Sequence, residues 1–213
     1  MNAAIRRRAG ASSPSAQADL FAAPPGLPGG FRYHAEVLSK EEEETLAREL
    51  AGLPFKPFDF QGFLANRRVV SFGYRYDYGS RAVVEAAPFP AFLEPLRRKV
   101  AALFGRPAET FQQVLINEYQ PRAGIGWHRD KAQFDEVVGV SLLHPCNLRF
   151  RRKSGATWER ASLTIEPRSA YLLSGPARMI WEHSIPALDL LRYSITLRTL
   201  VASEQERAFS ASS

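Results

Sequence analysis

Hydrophobic positions in this chain repeat with one period before Phe111 and with another after it. Ahead of that point the spacing is helical. Leu46 and Leu50 lie four apart and so share one face of a helix. Ser39-Lys40-Glu41-Glu42 precedes them in the form of a capping box, with acidic side chains suited to a helix N-terminus, and Gly52 and Pro54 stop the helix. A second helix is predicted from about Phe89 to Phe104, where Phe92, Leu96, Val100 and Phe104 recur at four-residue spacing. From Phe111 onward the runs become short and extended: 114–119, 137–142, 147–151, 161–165, 170–173, 179–183 and 192–200. Gly, Pro, Asp and Ser separate them at short intervals. Many short strands with frequent turns predict a mainly β fold with flanking helices, a sandwich or closed jelly roll rather than an α/β sheet.

The ends read differently. Residues 1 to about 30 are rich in Ala, Ser, Pro and Gly and are expected to form a flexible tail. A single domain is expected from about 31 to 203, with a short tail at 204–213. Hydrophobic residues at 45% and charged residues at 23% are globular values. No apolar run approaches the ~18 residues of a membrane helix, and no apolar stretch follows the basic Arg6-Arg7-Arg8 as a secretory signal requires. Cys146 is the only cysteine, which excludes an internal disulfide. A monomer in the cytoplasm, away from membranes, is the expectation.

A net charge of +6 favours polyanionic partners. The basic residues are clustered: Arg149, Arg151, Arg152 and Lys153 lie together, and Arg67, Arg68, Arg75 and Arg81 lie among aromatic residues. Single-stranded or flipped-out bases need that interleaving.

The candidate chemistry is carried by His128-x-Asp130, a distant His183, and Arg192-Tyr193-Ser194-Ile195-Thr196-Leu197-Arg198. In an extended strand His128 and Asp130 point to the same side. With His183 they form a 2-His-1-carboxylate face that leaves coordination positions open, the ligand set of non-haem Fe(II) oxygenases. His34 and His144 read instead as ordinary hydrogen-bonded residues. Along the last strand, alternation puts Arg192, Ser194, Thr196 and Arg198 on one face and Tyr193, Ile195 and Leu197 on the other. Two arginines facing a barrel interior are costly unless each meets an anion, and a small dicarboxylate answers that need through bidentate contacts.

These residues belong to a wider pattern. Asn117-x-Tyr119, Gly126-Trp127-His128-Arg129-Asp130-Lys131, Val140-Ser141-Leu142, His183-x-Ile185 and Arg192-Tyr193-x-x-Thr196-x-Arg198 resemble the AlkB-like Fe(II)- and 2-oxoglutarate-dependent dioxygenases. Upstream, Arg68-Val69-Val70-Ser71-Phe72-Gly73-Tyr74-x-Tyr76 resembles the family's nucleotide-recognition lid. The resemblance implies helices and lid over 31–110 and a double-stranded β-helix over 111–203. It implies iron on His128, Asp130 and His183, with O2 as the second co-substrate. Asn117, Tyr119 and Ser194 would contact 2-oxoglutarate, and Arg192 and Arg198 would hold its two carboxylates. Ser194 stands where the family often has Asn. Ala132 stands where several members carry an acid facing the base.

The implied reaction is oxidative dealkylation of an N-alkylated base, with alkylated DNA ahead of RNA as substrate and DNA repair as its setting. A base must leave its stack to reach a buried iron. Tyr74, Tyr76, Arg68 and Arg151 are the candidate substrate contacts, the tyrosines by cation–π attraction to a methylated base. Trp127 and Trp181 read first as core residues. Gln17-Ala18-Asp19-Leu20-Phe21 resembles the peptide with which bacterial repair proteins dock on the sliding clamp, through Gln17, Leu20 and Phe21. Two other readings stand beside this one: an oxygenase of the same fold acting on tRNA or a protein side chain, and a nucleic-acid-binding module with a vestigial site.

Overall fold

A computed structural model describes residues 26–60 and 63–205. The clamp-like peptide at Gln17–Phe21 and the last residues of the chain lie outside these. In chain order the strands are β1 (Phe31–His34), β2 (Lys56–Phe60), β3 (Phe63–Phe72), β4 (Tyr74–Asp77), β5 (Ala82–Glu85), β6 (Phe111–Tyr119) and β7 (Ile125–His128). They continue as β8 (Phe134–Leu142), β9 (Cys146–Ser154), β10 (Thr157–Ile165), β11 (Ala170–Leu173), β12 (Glu182–Ile185) and β13 (Arg192–Leu200). The helices are α1 (Lys40–Ala51), α2 (Glu94–Phe104) and the short α3 (Gly175–Met179).

The strands build a seven-stranded sheet in the order β1-β11-β8-β13-β6-β3-β2 and a four-stranded sheet in the order β10-β9-β12-β7, with β4-β5 as a separate hairpin. Every pairing is antiparallel. The outer face of the large sheet carries the helices. Leu46 and Leu50 of α1 and Leu96, Val100 and Phe104 of α2 pack against Val114, Ile116, Val138, Val140, Tyr193, Ile195 and Leu197. The inner face meets the small sheet, where Phe31, Tyr119, Val137 and Tyr171 pack with Leu148, Phe150 and Ile185. This is the β sandwich with outside helices that the periodicity predicts.

Local signals explain both long helices. Ser39 caps α1 in a complete capping box, its hydroxyl accepting from the Glu42 amide at 3.2 Å while its own amide donates to the Glu42 carboxylate at 2.8 Å. Helix α2 begins five residues later than the pattern suggests, because Pro90 holds an extended backbone and a 3-10 turn at Ala91–Leu93 intervenes. Its end is set by Gly105 in the left-handed conformation.

Two sequence expectations shift. The stretch 179–183 does not form one strand: Met179 ends α3, and β12 starts only at Glu182. The expected tail is tied down before residue 30, since Gly29 and Gly30 carbonyls accept from Ala177 and Ser174 amides at 2.8 and 3.0 Å. No helix among the described residues is long and apolar enough to cross a membrane.

Gly139, in the middle of β8, sits opposite Tyr171 of β11. A methyl group there would overlap the Tyr171 ring, so glycine makes room for an aromatic on the inner face. Gly139→Ala should lower stability by about 1–3 kcal/mol through overpacking, read as a shift in denaturant midpoint; an unchanged midpoint would show that the ring relaxes freely.

Candidate metal and co-substrate site

Strands β12 and β7 pair so that His183 lies directly opposite His128, with ring centroids 4.3 Å apart. Asp130 lies just beyond the end of β7 rather than within an extended strand. Its carboxylate is nevertheless brought in, with Oδ2 3.7 Å from His183 Nε2. One ligand atom from each of His128, Asp130 and His183 falls within 4.8 Å of the other two, and this is the cluster among the described residues able to hold a metal ion. Arg178 of α3 secures the turn that follows, donating to the carbonyls of Lys131 and Phe134 at 2.6 Å each. That contact bridges more than forty residues of sequence, so no local pattern announces it.

The protonation states suit metal binding. His128 Nδ1 is 2.9 Å from the Gly126 carbonyl, so it carries the proton and leaves the Nε2 lone pair free. Burial, reinforced by the neighbouring His128 ring, pulls His183 down to about 3, and burial lowers His128 as well. Both imidazoles are therefore neutral at physiological pH. Burial alone would raise the Asp130 carboxyl, but the Arg198 guanidinium beside it holds it well below the usual carboxylate range. Two neutral imidazoles and one ionised carboxylate form a donor set that fits Fe(II) with open positions.

The two arginines of β13 are not equivalent. Arg198 donates through Nε and Nη2 to Asp130 Oδ1 at 2.9 and 2.6 Å, and through Nη1 to Gln113 at 2.9 Å. Its guanidinium thus braces the aspartate. Arg192 is fully buried, donates through Nε to Ser141 at 3.0 Å, and has no partner for Nη1 or Nη2. An unpaired guanidinium in an apolar interior is costly, and two adjacent donors fit a carboxylate such as that of 2-oxoglutarate. Asn117, Tyr119, Ser194, Thr196 and Arg198 line one cavity of about 320 Å³ together with the His-Asp-His cluster. Tyr119 stands across from Arg192 in the sheet, the guanidinium 5.3 Å from its ring centroid. Burial keeps its hydroxyl protonated and available to donate.

Of the expected substrate contacts, Tyr76 lines this cavity; Tyr74, Arg68 and Arg151 do not. Arg68 shares the outer face of β3 with Val70 and Phe72, which pack into the helix-side core. It pairs there with Glu118 at 2.7 Å. The alternate residues Arg67, Val69 and Ser71 face the cavity. Anchoring the alternation on Phe72 would have selected Arg67 from sequence. Tyr74 pairs with Glu85 across the β4-β5 hairpin. Arg151 lies on the outer face of the small sheet, ion-paired to Glu182 at 2.6 Å. Its guanidinium also sits 4.5 Å from the Trp127 ring and 4.4 Å from that of Trp158. Trp127 is accordingly a partly exposed residue and not core, whereas Trp181 is buried as expected. His144 is engaged with the Leu191 carbonyl at 2.8 Å. Phe58, Tyr78, Arg129 and Lys131 also line the cavity.

Comparison with known proteins agrees with this geometry. Residues 30–198 match the model of the 2OG-Fe(II) oxygenase superfamily. An Arabidopsis thaliana protein named "Alkylated DNA repair protein ALKBH8 homolog" is 34% identical over 75% of this chain and 51% of its own length. The Mus musculus "tRNA (carboxymethyluridine(34)-5-O)-methyltransferase ALKBH8" is 30% identical over 75% of this chain and 24% of its own length. The chain thus spans about half of the first relative and a quarter of the second. The mouse "Alpha-ketoglutarate-dependent dioxygenase alkB homolog 7, mitochondrial" is 31% identical over 71% of this chain and 65% of that protein. Among solved structures, one described as "The structure of OsALKBH1" superposes with a TM-score of 0.60 at 15% identity, over 80% of this chain and 96% of that one. The chain is therefore an AlkB-like member of the 2OG-Fe(II) oxygenase superfamily.

Proposed function

We propose that this dioxygenase oxidises an alkyl group on a base in DNA or RNA, presented to the cavity as a flipped-out or single-stranded nucleotide. The observation that carries this reading is the outer face of the four-stranded sheet. There Arg149 and Arg151 lie 5.1 and 4.5 Å from the Trp127 ring, and Arg151 continues to Trp158. Arg160 stands beside Arg151 on the neighbouring strand. Two residues beyond Trp127, Arg129 lines the cavity mouth. A track of guanidinium groups and indoles leading to a cavity suits phosphates and stacked bases.

Within the site His128, Asp130 and His183 would hold iron. Arg192 would grip one carboxylate of 2-oxoglutarate, with Asn117, Tyr119 and Ser194 beside it. Arg198 would serve chiefly to hold Asp130 ionised and in place. When bound, iron and 2-oxoglutarate activate O2, yielding succinate and CO2 and placing one oxygen atom in a substrate C–H bond. An N–CH3 group thereby becomes N–CH2OH, which releases formaldehyde and returns N–H. The protein excludes water with Leu148, Phe134 and Ile185 around the cavity and keeps both imidazoles neutral. One relative is named for alkylated DNA and another for tRNA, so both polymers enter the test.

Succinate release dependent on iron and 2-oxoglutarate should rise with alkylated oligonucleotides, in matched DNA and RNA sequences, and not with peptides; stimulation by peptides alone would sink the nucleic-acid reading. Arg151→Ala should weaken oligonucleotide binding and reduce its salt slope by about 1, as expected for a phosphate contact. An unchanged slope would put the polymer elsewhere. Arg192→Met removes an unpaired buried charge. The cofactor-free protein should be as stable as the parent or more so, by about 1–3 kcal/mol, while 2-oxoglutarate should no longer raise its melting temperature. A retained ligand-induced shift would rule out Arg192 as the carboxylate anchor.

A further inference from the structure

We propose that the cavity selects an uncharged base offering carbonyl oxygens, and discriminates against bases made cationic by N-methylation. This rests on the reading of the site as one that oxidises nucleic-acid bases, and it reverses the sequence-based expectation of cation–π capture. The described lining residues include five cations, Arg67, Arg75, Arg129, Lys131 and Arg198, against a single carboxylate, Asp130. That carboxylate is already engaged by Arg198 at 2.6 Å. Arg75 has a carboxylate partner outside the lining, Asp77 at 3.3 Å. Fe(II) and the 2-oxoglutarate dianion cancel, so binding them does not change the balance. The positions after Lys131, Ala132 and Gln133, supply no acid.

The aromatic rings point the same way. Lys131 Nζ lies 4.8 Å from the Tyr76 ring centroid and 4.6 Å from that of Tyr78. Arg67 lies 3.9 Å from the centroid of Phe58, and Arg198 lies 5.3 Å from that of Phe134. Phe58, Tyr76, Tyr78 and Phe134 thus already bear a cation of the protein, and of the aromatic rings on the described lining Tyr171 alone has no such contact. A second positive charge would enter against like charges at short range in a low-dielectric cavity. Arg67 supplies the complementary attraction. It is only 5% exposed, lines the cavity, and its Nε has no hydrogen-bond partner. A buried donor left unpaired is satisfied by a carbonyl oxygen and left unsatisfied by an amino group or a cation.

The test compares oligonucleotides carrying 3-methyluracil, neutral with two carbonyl oxygens, or 1-methylguanine, neutral with one, with ones carrying 3-methylcytosine or 1-methyladenine, both cationic. The wild-type protein should favour the neutral pair by about tenfold or more in kcat/KM. Competition binding with iron omitted should give the same ranking. Arg67→Met and, independently, Lys131→Met should each narrow the preference, whereas Arg67→Lys should largely keep it. Equal or better use of the cationic bases by the wild-type protein overturns this inference and leaves the nucleic-acid reading standing. Failure of all four bases to stimulate succinate release overturns both. A preference that survives both methionine variants overturns the assignment to Arg67 and Lys131.

Discussion

Asp130 and Arg198 come from different sheets, one from just past the end of β7 and the other from the centre of the large sheet, and their ion pair ties the site together across the sandwich interior. Both side chains are more than nine-tenths buried. A buried pair of this kind adds little net stability, because desolvating two charges offsets most of their attraction. Its effect is positional. With Oδ1 committed to Arg198, Oδ2 is left beside His183, and the carboxylate has one orientation toward a metal. Gln113, opposite Arg198 in the neighbouring strand, takes up a further donor of the guanidinium and fixes it in turn.

The interior is therefore built around charges that are only partly answered. Arg198 is satisfied, Arg192 keeps two donors without partners, and Arg67 keeps one. Buried donors without partners cost stability. Arg192 and Arg67 lie on either side of Tyr119 in adjacent strands, since Arg192 and Arg67 are both register partners of that residue. One such guanidinium thus lies fully buried over the Tyr119 ring and the other on the cavity lining. A single sheet presents both because β13, β6 and β3 run side by side.

Basic and aromatic residues are interleaved along the sequence, but folding pairs them with each other. Arg149 and Arg151 cover Trp127 on the outer face of the small sheet, while Lys131 covers Tyr76 and Tyr78 at the cavity. The outward pairs align guanidinium groups and indoles on one face of the small sheet, whereas the inward pairs give the cavity a positive interior. The same composition serves two purposes according to the face on which it lies.

Local spacing determined the parts of this protein that depend on backbone periodicity. The capping box at Ser39, the strands at 170–173 and 192–200, and the shared face of Arg192, Ser194, Thr196 and Arg198 all follow from the geometry of one helix or strand. Residues whose roles depend on a partner far along the chain were hidden. Arg67 and Arg68 are adjacent and chemically identical, and only the pairing of β3 with β6 and the packing of Phe72 beneath the helices turns the first inward and the second toward Glu118. Arg178 braces the turn after Asp130 from a helix that no periodic signal marks. The chain's own pattern thus singled out the three side chains, His128, Asp130 and His183, that folding brings together. Tertiary structure decided which charges find partners, because pairing in a buried interior is set by long-range contact and not by neighbourhood in sequence.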